Sequence, residues 1–209
     1  MSETSASAGL RLNALLHEAG MPGLNADQTA HFAEYLALLV RWNARVNLTA
    51  IRDEEGILSR HFVESIACAR ALPAGISTLL DFGSGGGFPG IPIALCRPEI
   101  AVTLAESQGK KAAFLQEAVR VLGLSTKVHS QRAELLSSRF DCVTLRAVDR
   151  MQEAVSAASL LVVEGGWLAP MTTTSDLDGV KLAAGASFTW GDPIGLPGSA
   201  DRILVLGRK

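Results

Sequence analysis

Apolar positions along the first third of the chain recur at helical spacing. Leu10, Leu15, Leu16 and Ala19 fall on one side of a short helix that Gly20 can end. Residues 1–9 before it are small and polar and are expected to be frayed. Asn25 and Gln28 have the spacing of a capping box, in which each side chain satisfies the other residue's backbone amide. Phe32, Tyr35, Leu36, Leu39 and Val46 then share one helical face, ending near Asn47. Ile57, Leu58, Phe62, Ile66 and Ala69 repeat the pattern from Glu54 to Leu72, with Pro73 just beyond. The spacing predicts a helical extension over residues 1–74.

After Gly75 the period changes. "STLLDF" (77–82), "IAVTLAE" (100–106), "KVHSQ" (127–131) and "FDCVTLRA" (140–147) read as strands, as do "GGWLAPM" (165–171) and "RILVLG" (202–207). Helical stretches separate several of them, near Ile91–Cys96, Lys110–Leu122 and Gln152–Val163. Strand alternating with helix predicts an α/β unit over residues 75–209, its parallel sheet covered on both faces. Residues 172–200, poor in charge and rich in Gly, Pro and Thr, resist reading.

Composition narrows the function classes. A hydrophobic content of 48% and a charged content of 19% suit a packed core and exclude a disordered chain. The net charge of -2 excludes general nucleic-acid affinity, so an RNA partner would need basic charge gathered locally. Cys68, Cys96 and Cys142 are odd in number and far apart, as expected of reduced thiols in a cytoplasmic protein. No His/Cys cluster suggests a metal. Neither a signal peptide nor an apolar run long enough for a bilayer is present, so no membrane partner is expected.

The candidate chemistry starts at "DFGSGGGFPGIP" (81–92), directly after the first strand of the α/β unit. Glycines there let backbone reach positive φ and approach a ligand closely. Gly85 to Gly90 match the dinucleotide pattern G-x-G-x-x-G, which leaves a nicotinamide oxidoreductase open, with His129 as its proton donor. Asp81-x-Gly83-x-Gly85-x-Gly87 instead resembles the first motif of S-adenosylmethionine (AdoMet) methyltransferases. A carboxylate beside the loop suits a sulfonium better than a pyrophosphate. Glu106, at the end of the second strand, can accept hydrogen bonds from both ribose hydroxyls of either cofactor. Glu134 lies where AdoMet enzymes carry an acid beside the adenine amino group.

These residues combine with "NLTAIRD" (47–53), "RHFVES" (60–65), "AESQGKKAAFL" (105–115), "RAE" (132–134) and "LRAVDR" (145–150). Together they resemble the bacterial 16S rRNA guanine-N7 methyltransferases (RsmG, or glucose-inhibited division protein B). The resemblance covers about residues 30–170 and the final strand. It implies a Rossmann-like class I AdoMet-dependent methyltransferase sheet with an N-terminal helical extension. It also implies methyl transfer from AdoMet to N7 of one guanine of 16S rRNA or the small ribosomal subunit. A monomer suits the size of the chain. By motif position Gly83, Phe88, Ala133, Glu134 and Arg146 would meet the cofactor, and Asp81, Gly85 and Glu106 join them on the class pattern. Arg146 is also the candidate catalytic residue, through guanine O6 or a phosphate. Arg60, Arg132 and Arg202 are candidate RNA contacts, and His61 is balanced between such a role and the core. Trp42 is assigned to helix core, and Arg41 to a solvated face. Two positions depart from the family, Leu145 for a serine and Met171 near an expected lysine. The second keeps a non-catalytic AdoMet- or RNA-binding module open.

Overall fold

The computed structural model describes residues 3–209, with side chains from residue 7 onward. Helix α1 spans Glu3–Glu18 and α2 spans Ala26–Asn43. The expected fraying therefore does not hold for residues 3–9, because Leu12 and Leu16 are buried and anchor a longer helix; Met1 and Ser2 lie outside the described residues. The capping box forms, with the Gln28 amide donating to Asn25 Oδ1 at 2.8 Å and the Asn25 amide to Gln28 Oε1 at 3.2 Å. Helix α2 stops four residues before Asn47. There Asn43 turns inward, and its Oδ1 accepts the amides of Leu48 and Thr49. The third helical segment, α3 (54–71), starts as the turn Glu54–Gly56, widens into a π-helical stretch Ile57–Val63 and closes as the α-helix Glu64–Ala71. Apolar spacing alone does not distinguish that stretch from ordinary helix.

The sheet follows. Strands β1 (Thr78–Phe82), β2 (Ala101–Ala105), β3 (Lys127–His129), β4 (Phe140–Arg146) and β5 (Val162–Thr173) pair in parallel in the order β3-β2-β1-β4-β5. Helices α4 (Gly90–Cys96), α5 (Gly109–Val121) and α6 (Met151–Leu160) connect them. Strand β5 begins at Val162, earlier than expected, and its register slips between Phe140 and Cys142. The stretch that resisted reading holds α7 (Leu177–Ala184), β6 (Thr189–Trp190) and β7 (Ile194–Gly195). "RILVLG" is split into β8 (Arg202–Leu204) and the start of β9 (Gly207–Arg208), both antiparallel to β5.

Successive strand residues face opposite sides of the sheet. Leu79 and Cys142 belong to one core, and Leu80 and Val143 to the other. The first core also takes Leu12, Tyr35, Leu39, Phe62 and Ile66, so the helical extension and the sheet share it. The second lies under α6 and α7, around Val155 and Val180. Strand order reverses between β1 and β4, so the carboxyl ends of β1, β2 and β4 open a crevice. Among the described residues, no helix is long and apolar enough to cross a membrane.

Candidate active site

The loop leaving β1 bends sharply. Gly83, Gly85 and Gly87 have φ of 74°, 55° and 90°, a region costly for any residue with a Cβ. The amides of Gly83 and Ser84 both donate to the Ala105 carbonyl at 3.0 Å, which stitches the loop to β2. The Gly85 amide donates to Glu106 Oε2 at 3.0 Å, and the Gln108 amide to Oε1 at 2.7 Å. Asp81 is fully buried beneath the loop. It accepts from the Gly90 amide at 3.1 Å and the Thr144 hydroxyl at 3.2 Å. Burial pushes its carboxyl up to about 6, against the pull of its hydrogen bonds and of Arg146.

The helical extension props this loop from below. The Tyr35 hydroxyl donates to the Gly86 carbonyl. The Tyr35 ring stacks on Phe62 at 5.1 Å, and Phe88 lies against His61 at 4.6 Å, nearly parallel. His61 Nε2 is 2.6 Å from the Thr49 hydroxyl. Its Nδ1 is buried without a partner, so this histidine is not a fully satisfied core residue. Burial first, then Arg146, Arg60 and Arg202, push the ring down to about 3, so it is neutral near pH 7.

A cleft of about 800 Å³ opens above the loop. It brings together Gly83, Gly85, Phe88, Glu106, Ala133, Glu134 and Arg146, with Arg60 and Arg132 at its edge. Asp81 and Arg202 stand outside the lining. Asp81 faces into the fold, and Arg202 bonds Glu64 through Nε at 2.7 Å and Nη2 at 2.6 Å. Arg146 reaches the same acid, Nη2 to Oε2 at 2.7 Å, and donates to the Arg60 carbonyl at 2.8 Å. Burial lowers its own proton affinity. The helical spacing around Glu64 suggests a solvated face, but the residue is fully buried. Its partners lie 82 and 138 positions away, which local spacing does not reveal. Tyr35 reads as helix core alone, and its bond to the loop has no sequence signal. Met171 is buried and pairs in register with Arg146. His129 lies outside the lining, near the Arg132 carbonyl. Trp42 packs edge-on against Phe114, and Arg41 pairs with Glu117.

The geometry fits AdoMet. A Cβ at Gly83 would come within 2.7 Å of the Val148 side chain, so the loop backbone and Val148 pack there with no room for one. Glu106 offers carboxylate oxygens at the β2 end for a diol, and Glu134 lies farther along the same cleft. Among the described residues no cluster suited to a metal ion exists.

The sheet order, the glycine loop and the acid ending β2 define a class I AdoMet-dependent methyltransferase. Solved structures share the fold. A predicted O-methyltransferase from Agrobacterium tumefaciens superposes with a TM-score of 0.59 at 21% identity, covering 69% of this chain and 80% of that one. TrmN from Thermus thermophilus gives 0.56 at 21%, covering 73% and 53%. The particular family follows from sequence. The profile described as rRNA small subunit methyltransferase G (GidB) matches residues 28–186, and the chain belongs to that family. The ribosomal RNA small subunit methyltransferase G of Roseiflexus sp. (strain RS-1) is 42% identical over 95% of this chain and 91% of its own. That of Xanthomonas euvesicatoria pv. vesicatoria (strain 85-10) is 41% identical over 89% of each.

Proposed function

We propose that this protein methylates N7 of a guanine in the 16S rRNA of the small ribosomal subunit, using AdoMet. The observation that carries the reading is the meeting, in one cleft, of the glycine loop and Glu106 with a rim of Arg60, Lys111 and Arg132. The loop and acid suit a nucleoside with a short charged tail. The rim suits RNA phosphates, despite the acidic average of the chain. The nicotinamide reading loses its support, because the chain is a methyltransferase family member and His129 lies outside the cleft.

The chemistry asks little of the side chains. The N7 lone pair forms the new bond to the methyl carbon, the sulfur keeps the old bonding pair, and positive charge passes from sulfur to base. No proton leaves, so no general base is needed, and His61, whose affinity for a proton is low, is poorly suited to be one. Catalysis is then proximity and alignment. Gly83, Gly85, Phe88, Glu106, Ala133 and Glu134 hold the methyl donor. Asp81 shapes the loop from beneath. Arg60 and Arg132 would hold RNA, and Arg146 would meet the donor or the base from the cleft wall it lines. Arg202 supports the site through Glu64 rather than by direct phosphate contact. We further propose a cytoplasmic monomer.

The test is transfer of labelled methyl from AdoMet to small subunits and free rRNA from a strain lacking the gene. Mass spectrometry then identifies the product nucleoside. A 7-methylguanosine at one site is expected. AdoMet binding with no transfer to either substrate would sink the reading in favour of a non-catalytic module.

A further inference from the structure

Glu64 begins the α-helical end of α3, and its neighbours Val63 and Ile66 are buried apolar residues. Its single carboxylate serves two guanidinium groups, Arg146 from the end of β4 and Arg202 from the start of β8. Those side chains are 10% and 22% exposed. The cluster therefore carries one surplus positive charge, little screened by water, beside the cleft wall that Arg146 lines. Asp81 makes no contact with the cluster, because its oxygens are taken by the Gly90 amide and the Thr144 hydroxyl, and it acts on Arg146 only through space, equally in the native chain and in the variants below. Arg60 adds a further cation to the lining, and Glu106, Glu134, Asp149 and Glu153 add acids, so the ratio proposed below is read as a change from the native value.

A sulfonium is itself a cation, and unscreened positive charge near it opposes binding. We propose that Glu64 is a positioning and charge-balancing residue for the methyl donor. It fixes the Arg146 guanidinium at the cleft edge and lowers the positive potential that a sulfonium meets there. This rests on the methyl-donor reading above. Nothing in the reaction requires Glu64 to touch either substrate, so its effect is read best from binding.

S-adenosylhomocysteine, the demethylated product, supplies the probe. It has nearly the shape of AdoMet but a neutral sulfur, so the ratio of the two affinities reports the local potential. Purely structural damage to the cleft weakens both ligands alike. Affinities for both are measured by calorimetry, without RNA and at low ionic strength, on the whole chain. Glu64→Gln keeps the size and one acceptor oxygen but raises the surplus charge. It should shift the ratio against AdoMet roughly three- to tenfold. Arg202→Gln leaves the Glu64–Arg146 pair and removes the surplus, so it should shift the ratio toward AdoMet by a similar factor. If Glu64→Gln does not fold, Arg202→Gln decides alone. Ratios within about twofold of the native value in every folded variant would overturn the assignment and leave Glu64 a structural tie. A native protein that binds neither probe would instead remove the methyl-donor reading, and this inference with it.

Discussion

The hydroxyl of Tyr35, on the second helix, donates to the carbonyl of Gly86 in the glycine loop. Both groups are buried, and a Cβ at neighbouring Gly87 would meet the same hydroxyl at 2.7 Å. The extension thus shapes the glycine loop directly. Tyr35→Phe removes one oxygen and leaves a buried carbonyl without its donor. Stability should fall by about 1–3 kcal/mol, and AdoMet affinity should fall with it. Denaturant titration and calorimetry check the two separately. Unchanged AdoMet affinity would mean the loop keeps its shape without the hydroxyl.

Two loop glycines should fail differently. At Gly87 an added methyl would meet Ile91 at 2.5 Å as well as Tyr35, with φ at 90°. Gly87→Ala should destabilise the fold by more than about 2 kcal/mol. At Gly85 the same methyl finds only the Gly83 carbonyl, at 3.9 Å. Gly85→Ala should cost about 1 kcal/mol for its left-handed backbone, yet still lose AdoMet affinity because the methyl enters the cleft. Melting temperatures and binding constants of the pair tell packing from ligand contact.

Asp81 makes stability depend on pH in an unusual direction. Its folded value of about 6 exceeds the ordinary 3.8, chiefly through burial. The folded chain therefore holds a proton that the unfolded chain releases. The associated stability is fully present below pH 3.8 and is lost as pH rises through 6. Asn at this position stays neutral throughout. The stability of Asp81→Asn relative to the native chain should therefore rise between about pH 4 and 7, by up to about 3 kcal/mol. An equal difference at both ends would show that Asp81 ionises freely in the fold.

His61 behaves in the opposite sense. Its folded value of about 3 lies below the ordinary 6.5, first through burial and then through Arg146, Arg60 and Arg202. Its contribution is present above pH 6.5 and is lost as pH falls toward 3. In nuclear magnetic resonance the ring should remain neutral at about pH 5. Methyl transfer should show no acid limb traceable to it. A titration near 6.5 would mean that the ring is open to water.

Much of the fold can be read from short apolar runs, because buried parallel strands need such runs and the helices between them keep their own period. The glycine loop is legible for a related reason, since the left-handed backbone at Gly83, Gly85 and Gly87 asks for glycine at fixed spacing. Pairings across long sequence separations leave none. Glu64 has a helical neighbourhood like any other, and only the return of β4 and β8 makes it a hub. The π-helical stretch at Ile57–Val63 uses residues that suit an α-helix equally well. Helix α7 is hidden because two of its eight residues, Val180 and Ala184, face the core.

The shared carboxylate also bears on how the chain is made. Glu64 waits 138 residues for Arg202, and synthesis runs from the amino end. Until β8 arrives, the nascent chain holds an acid destined for burial with one of its two arginine partners missing, even though β1 to β5 are already made. Completion of this cluster is therefore a late event that depends on β8. A product truncated before Arg202 should fall to proteolysis rather than persist as a partly active enzyme.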